Sequence, residues 1–119
     1  MCKVNMLGYP INVDYGAHVK QRLRSRFDDM DIAYLEYRIE EVFSDEAVAD
    51  HLMNEVKIGE DVILIDEDSG ITFAVNVGTD TLYIMTVYNA FEYSGFRCGD
   101  RQQVLKYAEK SGFRSGRFE

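Results

Sequence analysis

The sequence predicts an α+β fold in which N-terminal helices pack on an antiparallel sheet of three to four strands. Three observations predict it. Apolar residues recur at helical spacing between Tyr15 and Val56, and beyond Gly59 the pattern changes to the period of a strand. The strand-like runs are then joined by turns so short that their neighbours must be antiparallel.

Val4 to Leu7 and Ile11 to Val13 read as short extended pieces around Gly8, Tyr9 and Pro10, a turn holding the only proline. Asp14 is placed to cap a first helix over residues 15–27, where Tyr15, Val19, Leu23 and Phe27 line one side. Asp28, Asp29 and Asp31 break that pattern, and Asp31 is the expected cap of a second helix carrying Ile32, Leu35, Ile39, Val42 and Phe43. Ser44, followed by Asp45 and Glu46, reads as the cap of a short third helix with Val48, Leu52 and Val56 inward. Residues 61–65, 71–77 and 81–88 read as strands, separated by turns at 66–70 and 78–80. Residues 99–109 are expected to form a last helix. The 119 residues suit a single domain, 1–119, with the Gly/Ser/Arg-rich stretch 111–119 a loose tail.

With 46% hydrophobic residues, eight Tyr and seven Phe, the chain can build a core without staples. Its two cysteines, Cys2 and Cys98, match no metal or redox spacing. No secretory leader is visible, so a reduced, cytoplasmic setting is expected. No apolar run approaches the ~20 residues of a membrane span, so no membrane partner is expected. The net charge of −8 argues against broad nucleic-acid binding, but it is unevenly spread. Residues 1–27 hold five Lys/Arg and one acid, and residues 28–68 hold two Lys/Arg and fifteen acids. That asymmetry fits a narrow cationic site on an acidic body, or an acidic face that docks a basic partner.

The cationic segment carries the sharpest chemical signal. His18, Arg22 and Arg26 repeat every four residues and share a stripe beside the apolar one. One imidazole with two guanidiniums suits a phosphate ester, since it joins a proton-transfer group to cations that hold charged oxygens. The bland alternative is a solvated helix face. Among other candidates, His51 lies among acids and reads as a solvent-facing residue. Asp66, Glu67 and Asp68 suit a turn better than a metal centre, because consecutive carboxylates do not converge. Cys98 has no histidine at a telling spacing, and Tyr83, Tyr88, Phe91 and Tyr93 could stack bases or fill a core.

The segment from Tyr15 to Arg26, with its His18-x-x-x-Arg22 spacing, resembles the helix of RegB-type phage endoribonucleases and related RelE-superfamily proteins of the BECR fold. Residues 71–75 and 84–88 are similar to the sheet strands of that group, and the resemblance covers roughly residues 14–89. It implies a toxin-like hydrolase that cleaves messenger RNA without metal or other cofactor, with His18 as the catalytic histidine. Such cleavage requires a base for the ribose 2′-hydroxyl, an acid for the leaving 5′-oxygen and cations around phosphorus. His18 and Arg22 are the catalytic candidates, and Arg26, Thr86, Tyr88 and Arg97 the substrate-binding ones. The RegB type has a second histidine, for whose place Arg38 and His51 are the candidates. RNA is then the expected partner, with a host or antitoxin protein a second one through acidic residues 28–68. The rival reading is a small acidic, phage-encoded, non-catalytic protein that binds and inhibits a host nucleic-acid enzyme.

Overall fold

The computed structural model describes residues 2–27, 30–89 and 103–116. The chain runs β1 (Cys2–Met6), β2 (Tyr9–Tyr15), α1 (Ala17–Arg26), α2 (Ile32–Phe43), α3 (Glu46–Asn54), β3 (Asp61–Asp66), β4 (Ile71–Val77), β5 (Thr81–Asn89), β6 (Gln103–Ala108) and β7 (Gly112–Gly116). Among the described residues these strands form one seven-stranded mixed sheet in the order β1-β2-β5-β4-β3-β6-β7. The sheet curls far enough that α3 touches both edge strands, β1 and β7.

Local chemistry accounts for most of the elements. Leu7 and Gly8 both have positive φ, 56° and 89°, as a two-residue hairpin turn requires, and Gly8 N–H donates to Asn5 Oδ1 at 2.8 Å. Asp31 caps α2 by accepting from Tyr34 N–H, and Asp45 caps α3 by accepting from Ala47 and Val48 N–H. Leu35, Ile39, Val42 and Phe43 of α2 and Val48 and Leu52 of α3 face the sheet, where Phe43 meets Phe73 edge-on at 5.5 Å.

This architecture corrects the expectation of N-terminal helices on an antiparallel three- to four-stranded sheet. A β-hairpin precedes the helices, and two of the strand junctions are parallel. β2 pairs with β5 from Asn12↔Thr81 to Tyr15↔Ile84, and β3 pairs with β6 from Val62↔Gln103 to Asp66↔Tyr107. The physical reason lies in β3, whose consecutive Val62, Ile63 and Leu64 are all buried. A strand apolar on both faces needs cover on both, which marks an inner strand. Residues 103–108 supply its neighbour as β6, where a helix over 99–109 was expected; residues 99–102 lie outside the described part. The stretch expected to be a loose tail contributes β7, paired with β6 from Val104↔Gly116 to Ala108↔Gly112.

The expected caps shift as well. α1 starts from Gly16 with no side-chain cap, because Asp14 belongs to β2 and pairs beside Tyr83. Asp45 caps α3 in place of Ser44, and the first turn falls at Leu7 and Gly8, with Pro10 inside β2 opposite Asn5.

Candidate functional site

α1 stands where it does because β2 ends before β5 does. The β2–β5 register stops at Tyr15↔Ile84, while β5 continues to Asn89. α1 packs along that remaining stretch, burying Val19 and Leu23. Ten helical residues rise about 15 Å, and five strand steps advance about 17 Å, so helix and strand edge match in length. The start of the helix is level with Ile84, and Asn89 Nδ2 donates to the Arg26 carbonyl at 3.0 Å at its end. Arg26 therefore lies beside Val87 and Tyr88, and His18 lies about two helical turns back toward the start of α1.

Arg26 fastens this junction. Its Nη1 donates to the Val87 carbonyl at 2.7 Å, and its guanidinium lies 4.5 Å from the centre of the Tyr88 ring. One face and one N–H of Arg26 are thus committed inside the protein, and its remaining donors can meet a phosphate. Arg22 Nε donates to His18 Nε2 at 3.2 Å on the exposed side of the helix. Thr86 and Tyr88 share the outer face of β5, opposite Ala74 and Thr72 of β4. Of the six sequence-derived candidates, His18, Arg22 and Arg26 lie on α1 and Thr86 and Tyr88 on β5, with Arg26 touching Tyr88 across the junction. Arg97 lies outside the described residues, as do Phe91, Tyr93 and Cys98.

The other candidates have structural partners. Arg38 donates to both carboxylate oxygens of Asp66, at 2.7 and 2.9 Å. Asp66 is fully buried and also accepts from Ser69 Oγ at 2.6 Å. Burial works against the Arg38 charge, but the bonds to Asp66 outweigh it and raise its pKa. Asp68 accepts from Glu109 N–H at 2.8 Å, which ties this turn to the β6–β7 hairpin. The turn carboxylates 66 and 68 therefore act as a latch between α2 and the sheet. Among the described residues no three His, Cys, Asp or Glu gather into a metal-binding group. His51 packs its ring against Phe113 of β7 at 5.2 Å.

Sequence reasoning missed the fastening of the β2–α1 corner. The Tyr15 hydroxyl donates to the Glu36 carboxylate of α2. Burial, followed by that hydrogen bond and the Glu36 charge, pushes the Tyr15 hydroxyl pKa well up, and burial with Glu36 raises the neighbouring Cys2 thiol. Asn89, directly after Tyr88, was equally overlooked, because an amide at a strand end carries no distinctive pattern. The acidic helices lie apart from this corner's cationic side. Glu40, Glu41, Glu46 and Asp50 are exposed on α2 and α3, which pack on β1 and β7, whereas α1 packs on β5.

No protein-family profile, no curated protein and no solved structure matches this chain. None of its helices is long and apolar enough to cross a membrane among the described residues.

Proposed function

We propose that the protein is a metal-independent endoribonuclease of RelE/RegB-like type acting on messenger RNA, with its reaction centre on the exposed side of α1 against β5. The observation that carries this reading is the His18–Arg22 hydrogen bond on α1, the helix that packs on β5. The exposed His18 imidazole takes the proton of a ribose 2′-hydroxyl in this reading, with Arg22 turned toward the phosphate. The 2′-oxygen then bonds to phosphorus, the bond from phosphorus to the 5′-oxygen breaks, and that oxygen leaves with a proton taken from water. Arg22 and the free donors of Arg26 face the charge that grows on the phosphoryl oxygens. The products are a 2′,3′-cyclic phosphate and a 5′-hydroxyl.

A second reading, a non-catalytic protein that docks a basic partner, is favoured by one observation on α2. Tyr34 and Tyr37 are exposed and stacked at 6.1 Å, on the helix that also exposes Glu40 and Glu41. Aromatic faces beside carboxylates suit arginine. Incubating the protein and its His18→Ala form with mixed RNA in EDTA separates the readings. Cleavage with cyclic-phosphate ends by the parent alone is the expected result. RNA left intact by both would sink the nuclease reading and favour the docking one.

A further inference from the structure

Resting on the second of these readings, in which the protein docks a basic partner, we propose that the Tyr34–Tyr37 pair on α2 is an arginine-recognition platform. Its occupant is an arginine-bearing, cationic segment of another protein. The platform stands apart from the proposed reaction centre, since α2 packs on β1 whereas α1 packs on β5.

Three observations build it. The two rings lie 6.1 Å apart and within 20° of parallel, so together they make one flat aromatic surface. Tyr34 is 40% and Tyr37 50% exposed, while the opposite side of α2 buries Leu35, Ile39, Val42 and Phe43. Tyr37 also already carries a guanidinium, that of Arg38, 5.7 Å from its ring centre. Arg38 is tied down by two bonds to the buried Asp66 carboxylate, so it belongs to the fold and leaves the exposed aromatic surface to a second cation. Finally, Glu41 follows Tyr34 by seven residues and Tyr37 by four, which puts it on the same exposed stripe, with Glu40 beside it. A guanidinium lying on the rings therefore has a carboxylate one helical turn away to receive its N–H fork.

Charge decides the class of partner, and geometry decides which cation it presents. α2 and α3 expose Glu40, Glu41, Glu46 and Asp50, and the one Lys or Arg in their sequences, Arg38, has 11% side-chain exposure and is bonded to Asp66. Such a surface repels phosphate and attracts a cationic chain. A guanidinium is planar and weakly hydrated, so it can stack on a ring and donate sideways to a carboxylate. A lysine ammonium is a compact, strongly hydrated point charge that gains less from a flat surface. Quaternary ammonium groups are held in aromatic cages, and two near-parallel rings form no such enclosure.

The test titrates the intact protein with a short peptide of alternating arginine and glycine, and with its lysine and trimethyl-lysine counterparts. The Tyr34 and Tyr37 ring signals are followed by NMR. We expect the arginine peptide to bind roughly tenfold more tightly than either counterpart, the weight of one partly desolvated cation–π contact. Added salt should weaken all three peptides, since it screens the exposed carboxylates. Tyr34→Ala should bring the arginine preference close to one, and Tyr34→Phe, which keeps the ring, should retain it. Glu40→Gln combined with Glu41→Gln should weaken all three peptides together. Equal binding of the arginine and lysine peptides, or a preference that survives Tyr34→Ala, overturns the platform and leaves the docking reading on charge alone. Failure of every peptide to bind overturns both. An arginine preference in a protein that also cleaves RNA keeps the platform and sinks only the claim that the docking protein is non-catalytic.

Discussion

Replacing Arg26 by Ala should loosen α1 from the sheet as well as weaken RNA binding, and the structure sets the size of the first effect. The side chain gives the Val87 carbonyl a charge-assisted hydrogen bond at 2.7 Å, a class of contact worth about 1.5–3 kcal/mol. Its position over Tyr88 adds about 0.5–2 kcal/mol. The two contacts share one side chain and partly exposed surroundings, so they do not simply add. An overall loss of about 2–3 kcal/mol is expected. Arg26→Lys should recover about half, since an ammonium can reach the carbonyl but lacks the flat face that lies on Tyr88. Arg22→Ala is the matched control. Among the described residues its side chain bonds only to His18, four residues away on the same exposed helix face, so stability should change by less than about 0.5 kcal/mol. Urea unfolding followed by far-UV circular dichroism, or by tyrosine emission in this Trp-free chain, measures all three. A loss below about 0.5 kcal/mol for Arg26→Ala, or equal losses for both arginines, would refute the idea that Arg26 fastens the helix.

Arg38→Ala should cost toward the lower end of the ~3–5 kcal/mol typical of a broken buried pair. It strands the Asp66 carboxylate, which is 0% exposed, while Arg38 itself keeps 11% exposure. Replacing both by apolar residues should cost less than the single change, and a double-mutant cycle in urea checks this. The protonated Tyr15 hydroxyl stabilises the fold. Its pKa is raised above the ordinary 10.0, so that contribution is complete below pH 10 and is lost as pH rises through the folded value. Thermal melts from pH 8 upward should fall off above about 10, and Tyr15→Phe should flatten the fall; an unchanged alkaline limb would contradict this. Finally, Arg22→Ala should lower the salt slope of RNA binding by roughly one phosphate contact. Neutralising Glu40, Glu41, Asp45 and Glu46 should leave RNA affinity unchanged or slightly higher, as filter binding at two salt concentrations would show.

Local signals in the sequence survive in the structure, and long-range ones are where sequence reading fails. The stripe of Val19, Leu23 and Phe27 is buried, Asp31 caps α2, and the turns after Asp66 and Val77 fall where Asp and Gly residues place them. These features depend on residues within one or two turns of chain. Pairings such as Asn12 with Thr81 or Ile63 with Val104 join distant segments and leave no short-range trace. β6 shows the difficulty directly. Val104, Tyr107 and Ala108 are spaced as on a helix face, and what makes them a strand is the unfilled edge of β3. The candidate site was legible in its helical half because His18, Arg22 and Arg26 lie on one stripe. Its strand half was legible only as the end of an apolar run. Asp14 was misread as a cap because an acid before a helix is the usual cap signal. Here the strand extends one residue beyond it, which turns its side chain onto the sheet face.

The separation of charge gives the net −8 a specific consequence for any RNA that binds. α2 and α3 carry exposed acids where they cover β1 and β7, and the exposed Lys20, Arg22 and Arg24 lie on α1 beside β5. Screening over a Debye length of about 8–10 Å limits how far each surface acts, so an RNA strand would meet attraction along one helix and repulsion along the acidic ones. Affinity drawn from so few cations is modest and strongly salt-dependent, which favours short single-stranded stretches over long duplex contacts. On such a surface discrimination cannot come from the backbone. It would have to come from base edges read close to α1.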